Sequence, residues 1–470
     1  MTGLRIDYAN CLSERVGDHG LAASDLARDR DRLQALTEQL NTSRGTGWER
    51  WRTLPFDPDR AANVAAVRTL VKRLAPTTDN LVVLGIGGSA LGNIALHAAL
   101  RPGTWNLMPR ATRGGPRLFV LDNVDPVFVG SVLDEVARDD PGFSRTVLNV
   151  ISKSGETAET AAQFMISRAR LAEALGADTA RHIVAITDAR SGTMREISLA
   201  EGFATLPVPE GVGGRFSVLS PVGLFSAAMC GIDIEALLDG AAEMDRRCSD
   251  TEPSRNPALI LAWLLVELTR RGKSNHVLMP YANALHPLAD WFRQLWAESL
   301  GKRVDLEGRE VFAGPTPISA LGATDQHSQI QLYREGPNDK VIGFVEVESF
   351  DRDLEIPGGV EAESLQYLPG STLGTLLAAE KRATEYALVE SQRPNFTITM
   401  PRLDAFHVGQ FIQLWEITTA AAALMMNIDA YDQPAVETGK VATFGLMGRP
   451  GYEQWKTKVD QALSSREYVV

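Results

Sequence analysis

The chain has 470 residues, 44% of them hydrophobic and 23% charged, and a formal net charge of -12. Two or three domains are the natural expectation at that length, and the composition excludes a disordered or membrane-embedded chain. The acidic balance argues against a nucleic-acid partner, which needs clustered Lys and Arg. A small phosphorylated ligand remains admissible, because the potential in a cleft can oppose the overall sign. Cys11, Cys230 and Cys248 stand far apart without a CxxC pair, as in a reducing, cytoplasmic setting. The opening MTGLRIDYAN lacks the pattern of a signal peptide, and the apolar run PALILAWLLVEL is too short for a membrane span.

Residues 1–75 read as a charged helical segment, with apolar positions at helical spacing in LARDRDRLQALTEQL. Four short β-rich runs follow: NLVVLGIGG, RLFVLDNVD, TVLNVISKSG and HIVAITDA. Amphipathic segments such as ETAAQFMISRARLAEAL separate them. Strands alternating with helices predict an α/β domain over residues 76–245, with a mainly parallel sheet flanked by helices. Beyond the helical NPALILAWLLVELTRRG, strands at NHVLMPYA and DKVIGFVEV alternate with helices at LADWFRQLWAESLG and TLGTLLAAEKRATEYALVES. A second domain of similar plan is expected over 250–440, and a helical tail over 441–470.

Two loops carry chemistry. In GIGGSALG, Gly85, Gly87 and Gly88 permit close backbone approach, and Ser89 adds a hydroxyl at a helix start. Such helix N-termini, at the carboxyl ends of parallel strands, bind anions. The letters also satisfy the relaxed dinucleotide pattern, with Asp122 as a ribose-binding acid, although its spacing exceeds the usual one. No Lys-Ser or Lys-Thr follows, which excludes a nucleoside-triphosphate loop. The second loop, in NVISKSGETAET, offers hydroxyls on Ser152, Ser154 and Thr157 beside Lys153. Helix capping needs one hydroxyl, so three favour a phosphate nest. The pair of loops points to a sugar monophosphate.

These two loops together resemble the sugar isomerase (SIS) domain, a flavodoxin-like fold. EGVGGRFSVLSPVGL and YDQPAVETGK are similar to two motifs of the phosphoglucose isomerase family, and QLWAESLGK and GATDQHSQIQLY to its bacterial form. The resemblance spans roughly residues 75–445. It implies interconversion of glucose 6-phosphate and fructose 6-phosphate without metal or organic cofactor, in a cleft between two such domains, usually in a homodimer. No HxxH, HExxH or Cys/His cluster suggests a metal site.

An aldose–ketose isomerisation moves a proton between C1 and C2, which suits a partly buried carboxylate. The resemblance gives that role to Glu298, with Gln294 four residues earlier on the same helical face as a substrate contact. Arg215, after Gly213 and Gly214, stands where the family places the cation that stabilises the enediolate. His327 matches the ring-opening histidine, donated by the neighbouring subunit, and Lys440 its partner at the ring oxygen. Phosphate and pocket contacts carry over to Gly88, Ser89, Ser152, Lys153, Ser154, Thr157, Glu159 and Gln433. His276, His286 and His407 read as structural. Two positions depart from the pattern: Glu156 stands where bacterial relatives commonly carry Thr, and is expected to point away from the phosphate, and Ala435 replaces a usual Gly. A dehydrogenase, a non-catalytic phosphosugar sensor and an isomerase that also takes mannose 6-phosphate are the competing readings.

Overall fold

The computed structural model describes residues 3–464, 469 and 470. Residues 465–468, within the expected helical tail, lie outside the described residues, as do residues 1 and 2. The first strand, β1 (Arg5–Asp7), precedes a run of helices, the longest of them Arg30–Ser43 and Asp59–Leu74. Five strands then form one sheet: β2 (Asn80–Leu84), β3 (Arg117–Leu121), β4 (Thr146–Ile151), β5 (Ile183–Thr187) and β6 (Ala204–Pro207). Their order is β3-β2-β4-β5-β6 and every pairing is parallel.

The second sheet follows the same plan. It uses β7 (Asn275–Pro280), β10 (Thr316–Ser319), β11 (Lys340–Ser349) and β12 (Asn395–Arg402), and a small hairpin of β8 (Lys302–Val304) and β9 (Glu310–Ala313) stands apart. The order is β1-β12-β11-β7-β10. Its four parallel strands repeat the order of the first four in the other sheet, and β1 closes the edge antiparallel to β12. The fold is therefore α/β, with two mainly parallel sheets flanked by helices.

All residues of β2, β4 and β5 are buried, because helices cover both faces of the sheet. Alternation divides them between two cores. Leu81, Val83, Val147, Ile151, Val184 and Ile186 join the large central core, whereas Val82, Leu84, Leu148, Val150, Ile183 and Ala185 face the outer one. The central core also takes Leu278, Val341, Val345, Phe396, Ile398 and Met400 from the second sheet. One apolar body thus joins the two sheets.

The helices Pro257–Arg270 and Ala405–Met425 fill that body. The second is buried on all sides and packs against the helix Ile234–Arg247. Glycines set the spacing: a Cβ on Gly409 would lie 1.9 Å from the Leu237 carbonyl oxygen, and one on Gly240 would lie 1.8 Å from that of Phe406. Both β12 and the helix Ala405–Met425 escaped the pattern reading, as did the short strands β6 and β10. Burial on every side leaves a helix no polar stripe from which to read its period. Among the described residues, no helix is long and apolar enough to cross a membrane.

Glu416 lies inside this helix, fully buried, and neither carboxylate oxygen has a hydrogen-bond partner among the described residues. Burial raises its pKa well above the ordinary 4.5, which favours the protonated carboxyl in the folded protein. The folded state then binds one more proton than the unfolded state between the two pKa values, and stability falls by about 1.4 kcal/mol per pH unit across that interval. Glu416→Gln should remove this slope. Urea midpoints should decline in the wild type as pH rises above the ordinary carboxylate range and flatten in the variant.

Candidate active site

In a parallel sheet of this order, the crevice opens where consecutive connections leave a strand in opposite directions, at the carboxyl ends of β2 and β4. The loops that follow those two strands are the glycine loop and the hydroxyl loop. The glycine loop turns through Gly87–Ser89 before the helix Leu91–Leu100 begins, so Ser89 sits in the turn with its hydroxyl uncommitted among the described residues. A Cβ on Gly88 would lie 2.3 Å from the carbonyl carbon and oxygen of Gly214 and 2.8 Å from the Arg215 nitrogen. Only glycine allows this approach, which joins the first loop to the Gly213-Gly214-Arg215 turn.

In the hydroxyl loop, Ser152 is buried and its Oγ accepts from the Gly155 N–H at 3.0 Å, while the Ser154 Oγ accepts from the Glu156 N–H at 3.1 Å. Each serine thus folds the loop upon itself and keeps its own O–H to donate. Gly155, at φ +78°, makes the turn. Thr157 precedes the helix Ala158–Leu175, whose first turn contains Glu159, but the threonine side chain does not cap it. The first N–H groups of that helix therefore have no acceptor within it and face the loop. Hydroxyl donors and helix N–H groups thus lie in one short stretch of chain, a donor set that suits an anion. Lys153 is exposed, its Nζ 5.0 Å from the ring centroid of Trp48.

Arg215 is 3% exposed and bonds across the molecule. Its Nε donates to Ser299 Oγ at 2.7 Å, Nη1 to Gln433 Oε1, and Nη2 to the carbonyls of Ala430 and Asp432. Four of its five N–H groups are thereby used. Nη1 also lies 3.3 Å from Glu298 Oε1. Burial lowers the guanidinium pKa, opposed by Glu298, Asp432, Asp429 and Tyr431, yet an arginine stays charged. The result is a fixed positive charge with little donor capacity to spare.

Glu298 lies on the helix His286–Leu300, with 25% of its side chain exposed. Gln294, one turn earlier, donates from Nε2 to Glu298 Oε2 at 3.0 Å, and its own Oε1 is buried and unpaired among the described residues. A Cβ on Gly87 would come within 3.0 Å of Gln294 Nε2, so the glycine loop covers this pair. Beneath them, Trp296 donates to His276 Nδ1 at 3.1 Å, which leaves His276 Nε2 to donate to Thr269. Burial pushes His276 down to about 3, so it stays neutral and structural.

Gly88, Arg215, Gln294, Glu298 and Gln433 therefore come together. His327 and Lys440 do not join them within one chain. His327 is exposed on the turn Thr324–His327, and Lys440, on the helix Ala435–Leu446, pairs with Glu437 at 2.6 Å. Ala435 is the first residue of that helix, a position without positive φ. Two supporting residues escaped the sequence reading. Ser299 holds the Arg215 Nε, and Lys302, nearly buried, pairs with Asp432 at 2.9 Å and donates to the Glu298 carbonyl at 3.1 Å. Ser299 and Lys302 stand in the motif that contains Glu298, but their partners are distant in sequence and leave no local pattern. The N-terminal segment also reaches the site: Trp51 stacks on Phe216 at 5.0 Å, and Phe216 meets Tyr431 at 5.4 Å.

Two sheets of one strand order, meeting at an anion-ready loop and a carboxylate–arginine pair, define a phosphosugar isomerase fold built from SIS-type domains. The family model for phosphoglucose isomerase matches residues 72–356 and 371–461, and the chain belongs to that family. It is 43% identical to the glucose-6-phosphate isomerase of Rubrobacter xylanophilus over 96% of this chain and 100% of that one. It is 40% identical to the enzyme of that name from Carboxydothermus hydrogenoformans over 97% of each. A crystal structure of a hypothetical protein from Thermus thermophilus superposes with a TM-score of 0.84 at 36% identity, covering 95% of this chain and 100% of that one.

The Gly88 contact can be tested directly. Gly88→Ala should push the Arg215 turn outward and lower kcat by about 10²–10³-fold, the loss typical of a misplaced charge at a developing oxyanion. Far-ultraviolet circular dichroism, measured beside the kinetics, should remain that of the wild type.

Proposed function

We propose that this protein interconverts glucose 6-phosphate and fructose 6-phosphate through ring opening and an enediolate intermediate. The observation that carries the reading is Glu298 held between Arg215 and Gln294, beneath the glycine loop and within the family's motif. The phosphate would rest on the hydroxyls of Ser152, Ser154 and Thr157 and the helix N–H groups, with Ser89, Lys153 and Glu159 at its margin.

In this reading the closed sugar ring is opened first. Lys440 and His327 serve the ring oxygen and the O1 hydroxyl, returning a proton to one and taking it from the other. The exposure of His327 in the single chain supports its donation across a homodimer interface. Glu298 then takes the C2 proton of the aldose and returns it to C1, while the hydroxyl proton passes from O2 to O1. The negative charge that develops on the two oxygens faces the fixed charge of Arg215. Because most of its N–H groups are engaged by the protein, Arg215 acts chiefly through its field. The free acceptor on Gln294 and the amide of Gln433 orient sugar hydroxyls. No step calls for a metal or organic cofactor.

The first sheet accords with a domain at 76–245 and the second with one at 250–440, but β1 of the leading segment 1–75 joins the second sheet and the helix Ala435–Leu446 crosses into the tail 441–470, so neither end is a unit by itself. A cytoplasmic setting accords with three buried cysteines, none of them in a disulfide.

The test is conversion of fructose 6-phosphate by purified protein in EDTA, with glucose 6-phosphate read by a coupled dehydrogenase and mannose 6-phosphate scored separately. Turnover to glucose 6-phosphate is expected. Glu298→Gln should bind fructose 6-phosphate and lose about 10²–10⁴-fold in kcat, the contribution of a positioned acid–base group. A variant that stays fast would remove Glu298 from the mechanism, and binding without turnover in the wild type would leave a phosphosugar sensor. Co-expressed Glu298→Gln and His327→Ala subunits should recover activity in mixed dimers, since one of the two composite sites is then intact. Absence of recovery would contradict donation of His327 across the interface.

A further inference from the structure

The hydroxyl loop carries one charge of the wrong sign for an anion site. Glu156 lies within it, and its backbone N–H donates to Ser154 Oγ. A phosphate monoester is close to a dianion at neutral pH, and a carboxylate at its border repels it. That carboxylate is met by Arg449, whose Nη2 lies 3.0 Å from Glu156 Oε2.

Arg449 is itself held in place. Its guanidinium lies 4.5 Å from the ring centroid of Phe444 and 5.4 Å from that of Tyr452, and its backbone N–H donates to the Phe444 carbonyl at 2.9 Å. Phe444 belongs to the helix Ala435–Leu446, which also carries Lys440. The ion pair leaves 41% and 51% of its side chains exposed, so it adds little to the stability of the fold. Its weight falls on the charge seen by a ligand of the loop.

We propose that Arg449 is a positioning residue for phosphate binding: it neutralises Glu156 and so makes the phosphate seat a joint product of the first sheet and the C-terminal segment. The inference rests on the preceding reading for the identity of the substrate, but only on the loop for its phosphate. A lost Arg449 leaves the Glu156 carboxylate uncompensated at the border of the loop, where even a side chain pointed away from the phosphate acts through its charge. A lost Glu156 removes the need for Arg449.

Calorimetric titration with inorganic phosphate and steady-state kinetics on fructose 6-phosphate test this across four variants. Arg449→Ala should weaken phosphate binding and raise KM about three- to tenfold, as a partly screened like charge requires, with the change falling on KM rather than kcat. Arg449→Lys should stay near wild type, because the charge is kept. Glu156→Gln should bind phosphate at least as tightly as wild type. The double variant Glu156→Gln/Arg449→Ala should return to within about twofold of wild type, a coupling that a purely structural role of Arg449 would not produce. Unchanged phosphate affinity in Arg449→Ala, or a double variant as weak as Arg449→Ala, would overturn the inference. Phosphate binding without isomerase activity would remove the isomerase reading and leave this inference intact; a wild type that turns over fructose 6-phosphate but binds no phosphate would overturn this inference and leave the isomerase reading intact.

Discussion

The Arg215 guanidinium is the interaction on which the rest of the site depends. Its acceptors come from the helix of Glu298, through Ser299, and from the segment 430–433, through two carbonyls and Gln433. Its own backbone is pressed against Gly88 of the first loop. One buried cation therefore ties together stretches of chain that lie far apart in sequence. Burying a charge is costly unless it is paired and hydrogen-bonded, and here nearly every donor is satisfied. The same saturation gives the charge a fixed direction, which a solvated arginine would lack. Lys302 repeats the device close by, joining Asp432 to the end of the Glu298 helix.

The fold supplies the setting for that cation. A shared apolar core fixes the two sheets relative to each other, so loops from one can face side chains from the other. The hydroxyl loop sits at the crevice of the first sheet, and the helix bearing Glu298 follows the first strand of the second sheet's parallel set, β7. The loop of backbone and hydroxyl donors and the carboxylate beside a cation thus belong to different halves of the molecule, and under the proposed function each half would meet one end of the phosphosugar. Close packing of the helices through Gly240 and Gly409 keeps that geometry from drifting, since a well-packed interior yields little to small displacements.

Much of this was legible in the sequence, for identifiable reasons. The strands β2, β3, β4 and β5 are short β-rich runs ending in polar or glycine turns, and the two anion loops directly follow β2 and β4. Arg215, Glu298 and Gln433 emerged from motif resemblance and not from local pattern; a glutamate in a helix says nothing by itself. β12, in NFTITMPR, and the helix Ala405–Met425 were missed, the helix because complete burial erases the contrast from which periodicity is read. Ser299 and Lys302 were passed over because their partners are distant in sequence. His327 and Lys440, read from similar motifs, make no hydrogen bond or ion pair with Glu298 among the described residues, His327 being exposed and Lys440 paired with Glu437. The importance of Glu156 was visible as an anomaly, but its partner Arg449 lies 293 residues away and no spacing rule connects them.

The most direct measurement is a crystal structure with fructose 6-phosphate bound, grown in EDTA with the Glu298→Gln variant to halt turnover. The expected result has phosphate oxygens on Ser152, Ser154 and Thr157, with C1 and C2 within about 3 Å of the residue 298 side chain on the side facing Arg215. A phosphate seated elsewhere, such as the crevice lined by Arg73, Arg145 and His182 at the amino ends of the first sheet, would contradict it. So would a sugar whose C1–C2 bond turns away from residue 298.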